Sequence, residues 1–186
     1  MQLSGSSYAR TAASVTKNCS LAVFGANLQA ALRTGHCTQL LRASYISADG
    51  TVMGTIGVAN PISSTAAEKA GQTTGPREII APLAAAKGAT SKLGTGTGVV
   101  AAEIKGHYLI LIWAEFADLK SPSTPAQRRQ LDLFADNMSV GSADINLSVR
   151  MCRSGWQSII IRTACSNTLE IVSSPAVTSP SALAAT

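Results

Sequence analysis

Residues 94–117 limit what this chain can fold into more than any other stretch. A glycine-rich loop, Gly94-Thr95-Gly96-Thr97-Gly98, leads into the apolar run Val99-Val100-Ala101-Ala102-Glu103-Ile104. Lys105-Gly106-His107 follows, and then Tyr108-Leu109-Ile110-Leu111-Ile112-Trp113-Ala114-Glu115-Phe116. Two β-prone runs joined by so tight a turn predict a β-hairpin. The second run reads as the centre of the sheet.

The rest of the chain supplies partners for that hairpin. Residues 39–47 and 51–60 are strand-like, and Ala48-Asp49-Gly50 between them is a hairpin signal, because glycine tolerates the positive φ of such turns. Gly54 and Gly57 inside the second run point to a bulge, or to something packed close against the backbone. Residues 78–83 read as a short strand, at an edge because of Pro82. Residues 20–35 place Leu21, Phe24, Leu28, Ala31 and Leu32 on one helical face, with Gly35 as C-cap. Thr65-Ala66-Ala67-Glu68 matches a capping box and starts a short helix to about Ala70. Ser123-Thr124-Pro125 opens a further helix, with Leu131, Phe134 and Met138 on one face, that Gly141 closes.

The order α-β-β-α-β-β-β-α predicts an α+β fold: a two-layer sandwich with an antiparallel sheet of about five strands and helices packed on one face. Leu28, Leu32, Leu131 and Phe134 are the expected helix-to-sheet contacts. Residues 1–18, rich in Ser, Thr and Ala, read as a flexible arm, residues 19–141 as the single domain, and residues 142–186 as a poorly structured tail. One added strand at residues 146–151 is allowed for in that tail. Aromatic residues make up only 4% of the chain, so the core is expected to be mostly aliphatic.

The formal net charge is +5, but charged residues are sparse at 13% and both signs are interleaved. Arg128-Arg129 is the one adjacent basic pair. No specific nucleic-acid binding is expected. No apolar run is long enough to cross a bilayer as a helix, so the chain alone reads as soluble.

Cys19, Cys37, Cys152 and Cys165 form no Cys-x-x-Cys pair, so no metal site is expected. A full helix over residues 21–33 would be about 20 Å long, and a disulfide needs Cα atoms within about 7 Å. A Cys19–Cys37 bridge therefore requires a helix that starts near Gly25, with residues 20–24 folded back along it. Bridged and free forms both remain open; a bridge would imply an oxidising compartment.

Candidate chemistry is thin. Ser14-Val15-Thr16-Lys17 matches Ser-x-x-Lys, in which a lysine one helical turn on takes a serine proton, but the companion motifs are absent. Gly94, Gly96 and Gly98 could cradle an anion through backbone N–H groups, yet they precede a strand and lack a P-loop ending. Cys37 and His107 could assemble in space as a nucleophile and base; the plainer reading is a structural cysteine and a turn histidine. Glu103 and Glu115 could divide acid and base roles, or make cross-strand polar pairs with Arg42 or Lys92. No cofactor is expected.

Several segments resemble a known group. Leu28-Gln29-Ala30-Ala31-Leu32-Arg33, Cys37-Thr38-Gln39-Leu40-Leu41-Arg42-Ala43-Ser44-Tyr45, Gly54-Thr55-Ile56-Gly57-Val58 and Gly106-His107-Tyr108-Leu109-Ile110-Leu111-Ile112-Trp113 are similar to uncharacterised extracytoplasmic domains of actinobacterial (streptomycete-type) membrane proteins. The resemblance covers roughly residues 19–141 and carries over no catalytic residue. It implies a domain held outside the cell by one transmembrane helix, hence a piece of a longer membrane-anchored protein. The resulting expectation is a non-enzymatic binding, sensing or interaction domain whose partner is an unknown protein or small ligand. Gly94, Gly96, Gly98, Glu103, Lys105 and His107 form its expected contact surface. A small hydrolase or transferase using Cys37 and His107 is the alternative.

Overall fold

Local hydrogen bonding and a broken period explain most of the architecture. The computed structural model describes the backbone of residues 2–3 and 6–154 and the side chains of residues 7–139. Residues 1–147 form one compact unit and 148–186 a second, of which residues 148–154 carry the end of the last helix. The strands are β1 (Gln2–Leu3), β2 (Ser6–Thr16), β3 (Leu40–Ser47), β4 (Val52–Ala59), β5 (Gly98–Lys105) and β6 (Tyr108–Phe116). The helices are α1 (Ala26–Thr34), α2 (Ser64–Gln72) and α3 (Pro125–Ser154). All strand pairs are antiparallel, in the order β1-β2-β3-β4-β6-β5. The α+β class with an antiparallel sheet stands as expected.

Four expectations need correction. Residues 1–18 are not an arm: β2 pairs with β3 along nearly its whole length. A β-bulge between Arg10 and Ala12 shifts the register. The extra residue resets which side chains face which way, so no single alternation runs through the sequence. Residues 78–83 form no strand and do not join the sheet. Ile80 makes an isolated bridge with Val23, Phe24 N–H donates to Ile79 O at 2.8 Å, and Ala81 N–H donates to Ala22 O at 2.9 Å. α2 is capped two residues earlier than expected, by Ser63, whose hydroxyl accepts Ala66 N–H at 3.2 Å. α3 runs through Gly141 to Ser154, where a tail with an added strand was expected. A lone glycine costs a helix about 1 kcal/mol and does not by itself end it. The apolar run at Trp156–Ile161 lies outside the described residues.

The layering also differs from a one-sided sandwich. Gly54 and Gly57 of β4 point to opposite faces. A side chain at Gly54 would meet Phe134 of α3; one at Gly57 would meet Ile80 and Leu40. These are the close approaches that the glycines signalled, and β4 carries no bulge. Leu109 shares the Gly57 face and packs beside Gly71 of α2. Leu28 and Leu32 of α1 join the same cluster with Met53 and Leu111. Thus α1, α2 and residues 78–97 cover one face, and α3 covers the other with Leu131, Phe134 and Met138 buried. Every residue of β4 and β6 is buried, which is why β6 reads as a continuous apolar run.

α1 is shorter than expected, and Leu21 and Phe24 are exposed instead of sharing its buried face. Residues Cys19–Ala22 form a single 3-10 turn folded back beside it. The helix begins after Gly25, which has φ +92° and no side chain to cap with. Glu78 supplies the cap from across the fold: its Oε2 accepts Leu28 N–H at 2.7 Å and its Oε1 accepts Asn27 N–H at 3.3 Å. A carboxylate there also complements the helix dipole. Glu78→Ala is expected to lower the unfolding free energy by about 1–2 kcal/mol. A urea titration with an unmoved midpoint would contradict this cap.

Candidate binding surface

Both central strands are sealed, so any surface for recognition lies at the edges and loops. The expected contact residues do not form one patch. Gly94, Gly96 and Gly98 precede or begin β5, whereas Glu103, Lys105 and His107 lie at its far end. Gly98 and Lys105 are about 23 Å apart at 3.3 Å per residue. At the far end Lys105 Nζ lies 3.3 Å from Glu103 Oε1 and donates to Ser139 O of α3 at 3.1 Å. His107 stacks on Tyr108 with ring centroids 4.1 Å apart.

Glu103 and Glu115 are not a carboxylate pair. Glu103 aligns with Ile110 and Glu115 with Gly98, which places them on opposite faces of the sheet. Nor do they reach Arg42 or Lys92. Glu115 is fully buried, with Oε1 accepting Gly94 N–H at 2.7 Å and Oε2 accepting Trp113 Nε1–H at 3.2 Å. Its role is to pin the glycine loop to the sheet. Gly94 has φ +92°, and a side chain there would press on Pro82 at 2.7 Å. Gly98 packs its backbone on the Trp113 indole. The loop is thus held by close contacts, and its Gly94 N–H is used by Glu115 and is not available to an anion.

The long connection before it is held by hydroxyls. Thr55 donates to Ser44 Oγ (2.8 Å), Ser44 donates to Leu83 O (2.7 Å), and Leu83 N–H donates to Thr55 Oγ1 (2.9 Å). Ser44 has one proton and spends it on Leu83 O, which sets the direction of the Thr55 bond. Thr90 donates to Thr11 Oγ1 at 2.7 Å, and Thr11 donates to Ser44 O at 3.2 Å. Arg42 Nη1 donates to Ala81 O at 2.8 Å, and burial disfavours its charged form. Its Nε is buried without a hydrogen bond among the described residues. Burial raises the Tyr45 pKa, opposed in part by Arg10.

Cys19 and Cys37 are joined in a disulfide with Cα atoms 6.0 Å apart. The folded-back 3-10 turn supplies the geometry the bridge required. Cys37 therefore has no thiol to act as a nucleophile with His107. Ser14 and Lys17 do not form the helical pair their spacing suggested, because Ser14 lies in β2, opposite Arg42. Among the described residues, no three His, Cys, Asp or Glu side chains gather as a metal site. No helix among them is long and apolar enough to cross a membrane.

One open groove borders β5. It has a volume of about 380 Å³ and is lined by Thr97, Gly98, Val99, Ser121, Pro122, Arg128 and Asp132. Sequence reading placed Gly98 on a contact surface but missed Arg128 and Asp132, which reach it only through the path of α3. Glu115 is buried, not on the exposed polar face expected of it; its position as a lone charge within a long apolar strand is the signal that could have shown a buried, hydrogen-bonded carboxylate. Comparison with protein-family models, curated proteins and solved structures finds no match to this chain.

Proposed function

We propose that this chain is a non-enzymatic binding or interaction domain that works in an oxidising, extracytoplasmic setting. The observation that supports the reading best is the Cys19–Cys37 disulfide, which ties the turn before α1 to the segment after it. Disulfides form and persist outside the reducing cytoplasm. The pinned loop and sealed sheet suit a rigid scaffold that presents its rim to a partner protein or small ligand. The resemblance of several of its segments to extracytoplasmic actinobacterial domains is in keeping with this reading.

Produced once behind an export signal and once in a reducing cytoplasm, the exported chain should be more stable. The bridge closes a loop with a sequence separation of 18; for that length it is worth about 3 kcal/mol. Chemical denaturation of both preparations measures the difference. Equal stabilities, with the exported thiols unbridged, would sink the reading.

A further inference from the structure

Among the described residues no strand pairs with the outer edge of β5. We propose that two copies of this chain pair through β5 strands, antiparallel about a two-fold axis at Ala101. The proposal deepens the interaction reading but does not depend on export.

The hairpin turn has Gly106 at φ +63° in its first central position, as a two-residue II′ turn requires. In such a turn the closing pair, Lys105 and Tyr108, exchanges both backbone hydrogen bonds, and bonded pairs alternate from there. Val99, Ala101, Glu103 and Lys105 therefore bond inward to β6. Gly98, Val100, Ala102 and Ile104 turn their N–H and C=O groups outward. Among the described residues no backbone hydrogen bond reaches those groups. β5 has no proline and no bulge, and its two charges, Glu103 and Lys105, lie at one end and pair with each other, so the stretch from Gly98 to Ala102 carries none of the usual devices against pairing. The opposite edge carries two: β1 covers the start of β2, and Thr11 bulges.

A second copy fits this edge for specific reasons. With Ala101 on the axis, Val100 of one copy meets Ala102 of the other and Gly98 meets Ile104, so outward groups face outward groups. Glu103 falls opposite Val99, and Lys105 opposite Thr97. Thr97 and Val99 line the groove that holds Arg128 and Asp132, so this register brings Glu103 and Lys105 of the other copy to its edge. Each copy thus brings a Glu103–Lys105 ion pair to a groove with one cation and one anion of its own. No like charges oppose each other across the axis. Ile104, which is 40% exposed, lies beside Gly98 of the other copy, where the Trp113 indole fills the space of a side chain. The two ends of β5, too far apart in one copy to form a single surface, become adjacent in the pair.

Sedimentation equilibrium of the oxidised full chain should give twice the chain mass of 19.1 kDa. Ala101→Cys should then cross-link to itself, because residues of a non-bonded pair have Cα atoms about 4.5 Å apart, near the lower limit of about 4.4 Å for a disulfide. Ala102→Cys should not. Ala102→Pro removes an outward N–H, leaves the β6 ladder intact and should give a monomer that retains the Cys19–Cys37 bridge. Arg128→Glu should weaken pairing at least tenfold, and Arg128→Glu with Glu103→Arg should restore it, which a folding defect would not do. A monomer at every concentration up to solubility overturns the proposal. Cross-linking through position 102 in place of 101 overturns this register and its groove contact. Free Cys19 and Cys37 with dimer mass retained would instead overturn the export reading alone.

Discussion

Glu115→Ala is expected to lower the unfolding free energy by about 4 kcal/mol, a large share of the 5–15 kcal/mol typical of a domain. The carboxylate is fully buried and accepts from Gly94 N–H and Trp113 Nε1–H. Removing it leaves two donors without partners, at about 1–3 kcal/mol each, and opens space behind the glycine loop. Glu115→Gln should cost less, since one amide oxygen can still accept. It should still be destabilising, because the amide NH2 then faces a donor. Equilibrium denaturation, with Trp113 fluorescence as the local probe, reads both effects. A Glu115→Ala variant within about 1 kcal/mol of the parent would mean that the loop is held without it.

Gly54→Val is expected to cost at least about 3 kcal/mol, at the upper end for overpacking. A Cβ at Gly54 would lie 2.5 Å from Trp113 O and 2.6 Å from Phe134 Cε1. The first is backbone of the neighbouring strand and cannot move without parting β4 from β6; the second anchors α3. Gly57→Ala meets chiefly the end of the Ile80 side chain, which can rotate away, so its cost should be clearly smaller. Thermal or urea unfolding of the two variants checks the order. A reversed order would contradict the placement of α3 over Gly54.

These two positions show where sequence reading carries and where it stops. The β5–β6 hairpin, the β3–β4 hairpin and the buried stripe of α3 are local patterns, and each lies within two residues of its expected place. Gly54 and Gly57 correctly signalled close packing, but only tertiary structure says that different elements press on the two faces. β2 was hidden because its bulge at Thr11 breaks the alternation that identifies a strand. Residues 78–83 read as an edge strand but form none, because their backbone partners, such as Ala22 and the Thr55 hydroxyl, are remote in sequence. The Glu78 cap of α1 spans the same kind of distance and has no local signature. The candidate surface was legible only in part. Gly98, Glu103 and Lys105 stood out by position, whereas Arg128 and Asp132 come to β5 through the path of a helix.

The Cys19–Cys37 bridge carries the functional reading and is the most direct thing to measure. Trypsin cuts after Lys17, Arg33 and Arg42, so residues 18–33 and 34–42 should leave the alkylated, non-reduced chain as one joined species that separates on reduction. Recovery of both peptides alkylated and unjoined from the exported protein would contradict the account.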